Sequence, residues 1–241
     1  MTPKTIRLLK TGHRNGAWNM GVDEALMKTC SEPVLRLYGW NPPTVSIGYF
    51  QGLEEDVDLA ACRRHGVDVV RRITGGGAVF HDAELTYSFV TRDFKENIID
   101  SYEDVCAGIL LGLKGIGVNG QFVPLNDLVL ENGKKFSGNA QTRKGGVLLQ
   151  HGTILLDVDV DKMFSILKVP SEKMRDKIVQ NVKERVTGIR KTFDETALAL
   201  EKGFTEHVGA ALEPMDLSDE QAKMADSFAE RYRSDEWLRM R

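Results

Sequence analysis

Hydrophobic and polar positions along the chain fall into short alternating or β-branched runs, interleaved with stretches of helical spacing. The runs predict strands over residues 34–40, 44–50, 67–72, 78–80, 86–91, 128–131, 135–140 and 147–156. Helical spacing predicts helices over 19–29, 58–65, 101–116, 159–167 and 193–208. Ser218 with Gln221 three positions on reads as a capping box that opens a further helix towards Arg231. The stretch Glu131-Asn132-Gly133-Lys134 reads as a tight hairpin turn. Strands arrive in clusters without strict β-α-β alternation, so the expected class is α+β, with a mixed, largely antiparallel sheet and packed helices. The charged, helix-rich tail from about Thr192 is expected to form a closing layer on one domain that spans 1–241.

Composition narrows the function classes. The chain has 241 residues, 41% hydrophobic and 28% charged, which is ordinary for a globular protein. A net charge of −3 leaves no broad basic footprint, so bulk nucleic-acid binding is not expected. Cys30, Cys62 and Cys106 are an odd number, far apart and without a CxxC pair, which disfavours a disulfide framework or a structural zinc site. No signal-peptide core or long apolar run is present, so no membrane partner is expected and the expected location is the cytoplasm.

Three segments carry candidate chemistry. The first is Arg71-Arg72-Ile73-Thr74-Gly75-Gly76-Gly77-Ala78-Val79-Phe80-His81-Asp82. Consecutive glycines let backbone N–H groups approach an anion, and the arginines add charge with fork geometry for phosphate or carboxylate. The segment is neither a Walker A loop nor a dinucleotide fingerprint, because it leads back into a strand. A hairpin turn flanked by surface arginines is the plainer reading; the density of glycine and arginine favours a ligand loop. The second segment holds Asn126-Asp127 and then Lys134-Lys135-Phe136-Ser137-Gly138-Asn139-Ala140. Strand alternation sends Lys134 and Lys135 to opposite faces, and the pleat alone does not say which one enters a cleft. The third is Gln150-His151-Gly152-Thr153, a polar break in an apolar strand, where a histidine is either a structural hydrogen-bonder or a ligand group.

Together these segments resemble the lipoate–protein ligase family, within the wider biotin/lipoyl ligase and octanoyltransferase group. The resemblance runs from about Ile6 to Arg190 and on to Ser234-Asp235-Glu236-Trp237. It includes Asn19-Met20-Gly21-Val22-Asp23-Glu24-Ala25, the glycine segment, Asn126-Asp127, the Gly-Lys-Lys-Phe-Ser-Gly-Asn-Ala stretch and His151-Gly152-Thr153. Leu167-Lys168-Val169-Pro170 followed by Lys173-Met174-Arg175-Asp176-Lys177 also keeps the family's order.

The resemblance implies the family's catalytic-domain fold and a reaction in two steps. Lipoate is adenylated with ATP and Mg2+ to lipoyl-AMP, and the acyl group then passes to a lysine of a carrier, a lipoyl domain or glycine-cleavage H-like protein. It marks Lys135 as the essential lysine. It places Arg72, Thr74, Gly75, Gly76, Gly77, Ala78, Val79, Phe80 and His81 around the nucleotide and acyl group, with Gly138, His151 and Gly152. Asn126 and Asp127 fall near the phosphate, with Asp127 as magnesium ligand.

Two departures matter. Two-domain ligases have a C-terminal accessory domain, and this chain ends soon after Trp237, so a separate small accessory subunit is an implied partner. The related octanoyltransferases move the acyl chain between carriers through a cysteine thioester. The corresponding segment here, Gly120-Gln121-Phe122-Val123-Pro124-Leu125-Asn126, has no cysteine. The leading expectation is therefore the ATP-dependent ligase. Carrier-to-carrier acyl transfer and a non-catalytic lipoyl-binding role are the alternatives.

Overall fold

The computed structural model describes residues 5–169 and 172–241. The elements follow one another as β1 (Thr5–Arg14), α1 (Gly16–Thr29), β2 (Val34–Trp40), β3 (Thr44–Ile47), α2 (Leu53–Asp56), α3 (Leu59–His65), β4 (Asp68–Arg71), β5 (Val79–His81), β6 (Glu84–Thr91) and α4 (Ile98–Lys114). They continue as β7 (Gly120–Val123), β8 (Asp127–Leu130), β9 (Lys135–Lys144), β10 (Val147–Leu155), α5 (Val160–Ile166), α6 (Arg175–Arg185), α7 (Phe193–Val208), β11 (Ala211–Met215), α8 (Asp219–Arg233) and α9 (Asp235–Leu238).

An eight-stranded sheet runs β11-β1-β2-β6-β10-β9-β8-β7, and a three-stranded sheet runs β4-β3-β5. Pairing is parallel for β1 with β11 and β2, and for β3 with β4; the remaining pairs are antiparallel. This is the expected α+β class with mixed sheets.

The large sheet is covered on both faces because successive side chains in a strand point to opposite sides. Leu35 and Leu37 of β2 join Val105, Ile109 and Leu113 of α4 and Leu200 and Phe204 of α7 in one core. Val34 of β2 turns the other way, to Val22 and Leu26 of α1 and Ala225 of α8. A smaller core under the second sheet joins Val45, Ile47 and Phe80 to Cys62 of α3 and Ile166 of α5. Capping fixes the helix starts: Thr192 with Glu195 and Ser218 with Gln221 form complete capping boxes. Among the described residues no helix is long and apolar enough to cross a membrane.

Three elements depart from the sequence expectation in an informative way. The tail is not purely helical, since it also supplies β11, which pairs with β1 on the outside of the sheet. The glycine segment does not turn a hairpin: β4 and β5 both pair with β3, so the loop between them crosses over β3. The strand expected over 44–50 stops at Ile47, where Tyr49 N–H instead donates to Thr74 O (2.9 Å) and ties the chain to the glycine loop. Pro170 of the Leu167–Lys177 motif lies outside the described residues.

Candidate active site

A cavity of about 410 Å3 opens between the small sheet, β6, β9 and β10. Of the residues expected at the site, Lys135, Arg72, Gly76, Gly77, Ala78, Val79, Phe80, His81, Asn126, Gly138, His151 and Gly152 line it. Thr74, Gly75 and Asp127 do not line it but hold residues that do. Thr74 Oγ1 bonds His151 Nε2 at 2.8 Å, Gly75 O accepts from Arg72 Nη2 at 2.8 Å, and Asp127 Oδ1 lies 2.7 Å from Lys135 Nζ.

The glycine loop is shaped from within. Gly76 sits at φ +99°, a conformation that L side chains resist. The loop carbonyls of Gly75 and Gly77 both accept from Arg72 Nη2 (2.8 Å each). Arg72 Nη1 donates to Ser46 O (2.9 Å) and Ser46 Oγ (3.1 Å), and Arg72 Nε donates to Thr74 Oγ1 (3.2 Å). Every N–H of the guanidinium thus has a partner within the protein.

The adjacent Arg71 is similarly occupied. It donates to backbone carbonyls of Gly48, Tyr49, Gln51, Trp237 and Leu238, and so staples α9 to the loop region. The expectation that these arginines offer a free fork to an anion is therefore corrected. Both are buried, and a buried arginine is stable only where its donors are satisfied. Burial pulls the Arg72 guanidinium down to about 10.

Two hydrogen-bond chains leave Arg72 in parallel. In the first, Ser46 Oγ accepts from Arg72 and lies 2.7 Å from His81 Nε2, while His81 Nδ1 lies 2.8 Å from Glu84 Oε1. In the second, Thr74 Oγ1 accepts from Arg72 and lies 2.8 Å from His151 Nε2, while His151 Nδ1 lies 3.3 Å from Asp23 Oδ2. Each imidazole thus bridges a hydroxyl held by Arg72 to a buried carboxylate. His151 is held below its ordinary 6.5, chiefly by burial. Burial pushes Asp23 upward, but Arg36 (2.7 Å) and His151 outweigh it and the carboxyl ends below 3.8.

Several residues that shape this wall were not singled out from sequence. Trp40 stacks on His81 with ring centroids 4.0 Å apart. Trp40 Nε1 donates to Glu84 Oε1 (3.0 Å) and Thr86 Oγ1 (2.7 Å). Asn139 accepts from Tyr87 OH (2.7 Å) and donates to Asn126 O (2.8 Å). The available signal was Arg36, a charge inside the fully buried strand β2, which demands the buried acid Asp23.

The opposite wall is open. Lys135 begins β9, with its side chain 39% exposed, while Lys134 is half-buried beside the turn at Gly133. A Cβ on Gly138 would lie 3.1 Å from Lys135 Nζ, so the absence of a side chain there makes room for the ammonium. Asn126 Nδ2 donates to Asn139 O (2.5 Å) and braces β8 against β9. The cysteines are elsewhere. All three are buried and none lines the cavity, and burial raises the Cys62 and Cys106 thiols to about 11 and 12.

Among the described residues no cluster of three or more His, Cys, Asp or Glu could hold a metal. Asp127 is a single carboxylate facing Lys135. That donor set suits a magnesium ion carried in on a triphosphate, since magnesium commonly takes one or two carboxylates plus phosphate oxygens and water.

Comparison with known proteins agrees with this arrangement. Residues 15–208 match the family described as the lipoyl protein ligase A/B catalytic domain. The chain is 38% identical to an octanoyltransferase LipM of Kyrpidia tusciae over 97% of this chain and 98% of the relative. It is 37% identical to octanoyltransferase LipM of Bacillus subtilis over 98% and 99%. Its fold matches a bipartite lipoate protein ligase structure from Thermoplasma acidophilum with a TM-score of 0.90 and 31% identity, covering 99% of this chain and 96% of that one. A lipoate-protein ligase A bound with ATP matches with a TM-score of 0.83 and 27% identity, over 98% of each chain. The chain belongs to the lipoyl protein ligase A/B catalytic-domain family.

Proposed function

We propose that this chain transfers a medium-chain acyl group, lipoyl or octanoyl, to the lysine amine of a carrier domain, without forming a thioester on itself. The observation that carries the reading is a cavity lined by a partly exposed lysine, ion-paired to Asp127, and by no cysteine. A covalent acyl-enzyme needs a nucleophile beside the bound acyl carbon, and an activated thiolate is the form that works. The three thiols here are buried away from the cavity.

An acyl-adenylate fits these walls as donor. In transfer, the carrier amine attacks the acyl carbon, a C–N bond forms, and the C–O bond to phosphate breaks so that AMP leaves with the electron pair; the amine proton passes to solvent. Lys135 opposes the negative charge that builds on the carbonyl and phosphate oxygens, and it does so without bonding to the acyl group. Asp127 holds the ammonium in place. Were magnesium to enter with ATP, Asp127 would be the carboxylate to hold it, and the ion would supply charge neutralisation at the phosphates. Arg72 acts one step back, by fixing the loop that places Gly76 and Gly77 along the cavity.

A second reading is direct transfer from an octanoyl group on a carrier protein. The names of the curated relatives favour it. One experiment separates the donors. The purified chain is given a lipoyl-domain acceptor with preformed octanoyl- or lipoyl-adenylate, with the free acid plus ATP and magnesium, or with an octanoyl carrier protein, and acceptor mass is followed. Modification from the adenylate is the expected result. Modification from the octanoyl carrier alone establishes the second reading, and none from any donor refutes both. A weaker reaction from ATP than from adenylate would point to an accessory subunit for the first step.

A further inference from the structure

Helix α9 has four residues, none of them buried, and none lines the cavity. Two of the cores that wall the cavity nevertheless close on it. Trp237 packs against the core that includes Met20, Tyr38 and Trp40, and Leu238 against the core that includes Phe80. Those four core residues all line the cavity. Arg71, fully buried, joins α9 to the glycine loop. Trp237 Nε1–H donates to Arg71 O (2.8 Å), and Arg71 returns Nε–H to Trp237 O (3.1 Å) and Nη2–H to Leu238 O (2.6 Å). The remaining nitrogen, Nη1, donates to the carbonyls of Gly48 (3.2 Å), Tyr49 (3.0 Å) and Gln51 (2.6 Å). The backbone gathered in this way supports the glycine loop. Tyr49 N–H donates to Thr74 O (2.9 Å), and Gly48 lies so close to the loop that a Cβ there would collide with Gly76 O.

Resting on the acyl-transfer reading, we propose that Trp237 is a positioning residue for the acyl group: through Arg71 and the backbone of residues 48–51 it holds the glycine loop in the shape that walls the cavity. Without α9, two of the three guanidinium nitrogens of Arg71 lose their acceptors in the interior. A buried donor in that state takes up water or turns to other carbonyls, and the backbone at Gly48, Tyr49 and Gln51 loosens with it. The loop then samples several shapes, and acyl binding weakens by the fraction of molecules that hold the competent one. Lys135 and the carrier amine meet the acyl carbon from the other wall, so the rate of the bound complex is left as it was.

Two variants separate positioning from stability alone. Trp237→Phe keeps an aromatic ring beside Tyr49 and Tyr232 and removes only the N–H that reaches Arg71 O. A chain shortened to residues 1–234 removes α9 entirely. Transfer to a lipoyl-domain acceptor is measured with the donor the wild-type chain uses, octanoyl-adenylate or octanoyl carrier protein. KM for that donor should rise roughly fivefold in Trp237→Phe and about twentyfold or more in the shortened chain, with kcat within about twofold of wild type. Hydrogen exchange read by mass spectrometry follows the intermediate link. Amides of residues 48–51 and 74–77 should exchange faster in both variants, while those of α4 and α7 keep wild-type protection. A merely structural α9 would speed exchange throughout the chain and leave KM unmoved. Wild-type KM or wild-type loop exchange in the shortened chain overturns the proposal. If that chain fails to fold, the same result in Trp237→Phe overturns it. A wild-type chain that transfers from neither donor refutes the acyl reading and this proposal together, whereas normal wild-type transfer with unchanged KM in the variants refutes this proposal alone.

Discussion

On one side of the cavity, Arg72 is buried in the small sheet with every donor engaged by Ser46, Thr74, Gly75 and Gly77. On the other, Lys135 is partly exposed on β9 and held by a single ion pair to Asp127. Both are cations lining the same cavity, yet they are built for different tasks. A fully satisfied guanidinium cannot turn to a ligand without breaking bonds already made, so Arg72 serves as scaffold. A lone ammonium at the mouth has donors left for an incoming anion. In this chain the conspicuous charge next to the glycines shapes the site, and the less conspicuous one is the cation proposed to face the substrate.

The comparison breaks first at Arg72. Arg72→Ala removes the shared donor of two buried hydroxyls and three backbone carbonyls and should destabilise the fold by about 3 kcal/mol or more. Urea denaturation reads this, and an unchanged midpoint would show that the loop holds itself. Lys135→Ala should do the reverse. Its ion pair is partly exposed and worth little to stability. The rate of acyl transfer should nevertheless fall roughly a hundredfold. Loss of stability without loss of rate would exchange the roles assigned to the two cations.

A smaller effect sharpens the scaffold side. His151 is neutral in the fold because burial lowers it below 6.5. The unfolded chain therefore binds the extra proton first, so the stability tied to neutral His151 is full above pH 6.5 and declines as pH falls below it. One proton sets a ceiling of about 1.4 kcal/mol per pH unit. Asp23, held below 3.8, contributes stability that is present above that value and is lost as pH falls through its lowered folded pKa. His151→Gln should flatten the upper part of the stability–pH curve, and a curve of unchanged slope there would contradict a lowered His151 pKa in the fold. The smallest expected effect comes from the thiols: replacing Cys30, Cys62 and Cys106 by alanine should leave the transfer rate unchanged. An acyl-thioester trapped on any of them, seen by mass spectrometry, would overturn the non-covalent route.

Elements with a clean apolar period were legible. β2 and α7 run over the residues expected, and α8 opens at the expected capping box. Elements without such a period were missed. β1 carries a register shift between Lys10 and Gly12 that interrupts alternation, β7 and β11 are largely exposed edge strands, and α6 has no buried residue to mark a face. Most of the site followed the same logic. Residues clustered in sequence, the glycine loop and the Lys135 and His151 segments, also cluster in space.

What the sequence determined by itself was the α+β class, the family, and the segments that meet at the cavity, because glycine runs, strand periods and ordered motifs are local properties of the chain. What only the tertiary structure decided was the use of each charge. Nothing in Arg71-Arg72 distinguishes a ligand fork from a scaffold, since the deciding acceptors lie at Ser46, in the loop itself, and near the far terminus at Trp237 and Leu238. The pleat left Lys134 and Lys135 equivalent until β9 took its place beside β8 and turned Lys135 to Asp127. Glu84 was likewise silent, because a buried carboxylate takes its meaning from partners that folding brings from other strands and helices. Hydrogen bonds are short and directional, so the role of a polar side chain is settled only when its donors and acceptors are in place.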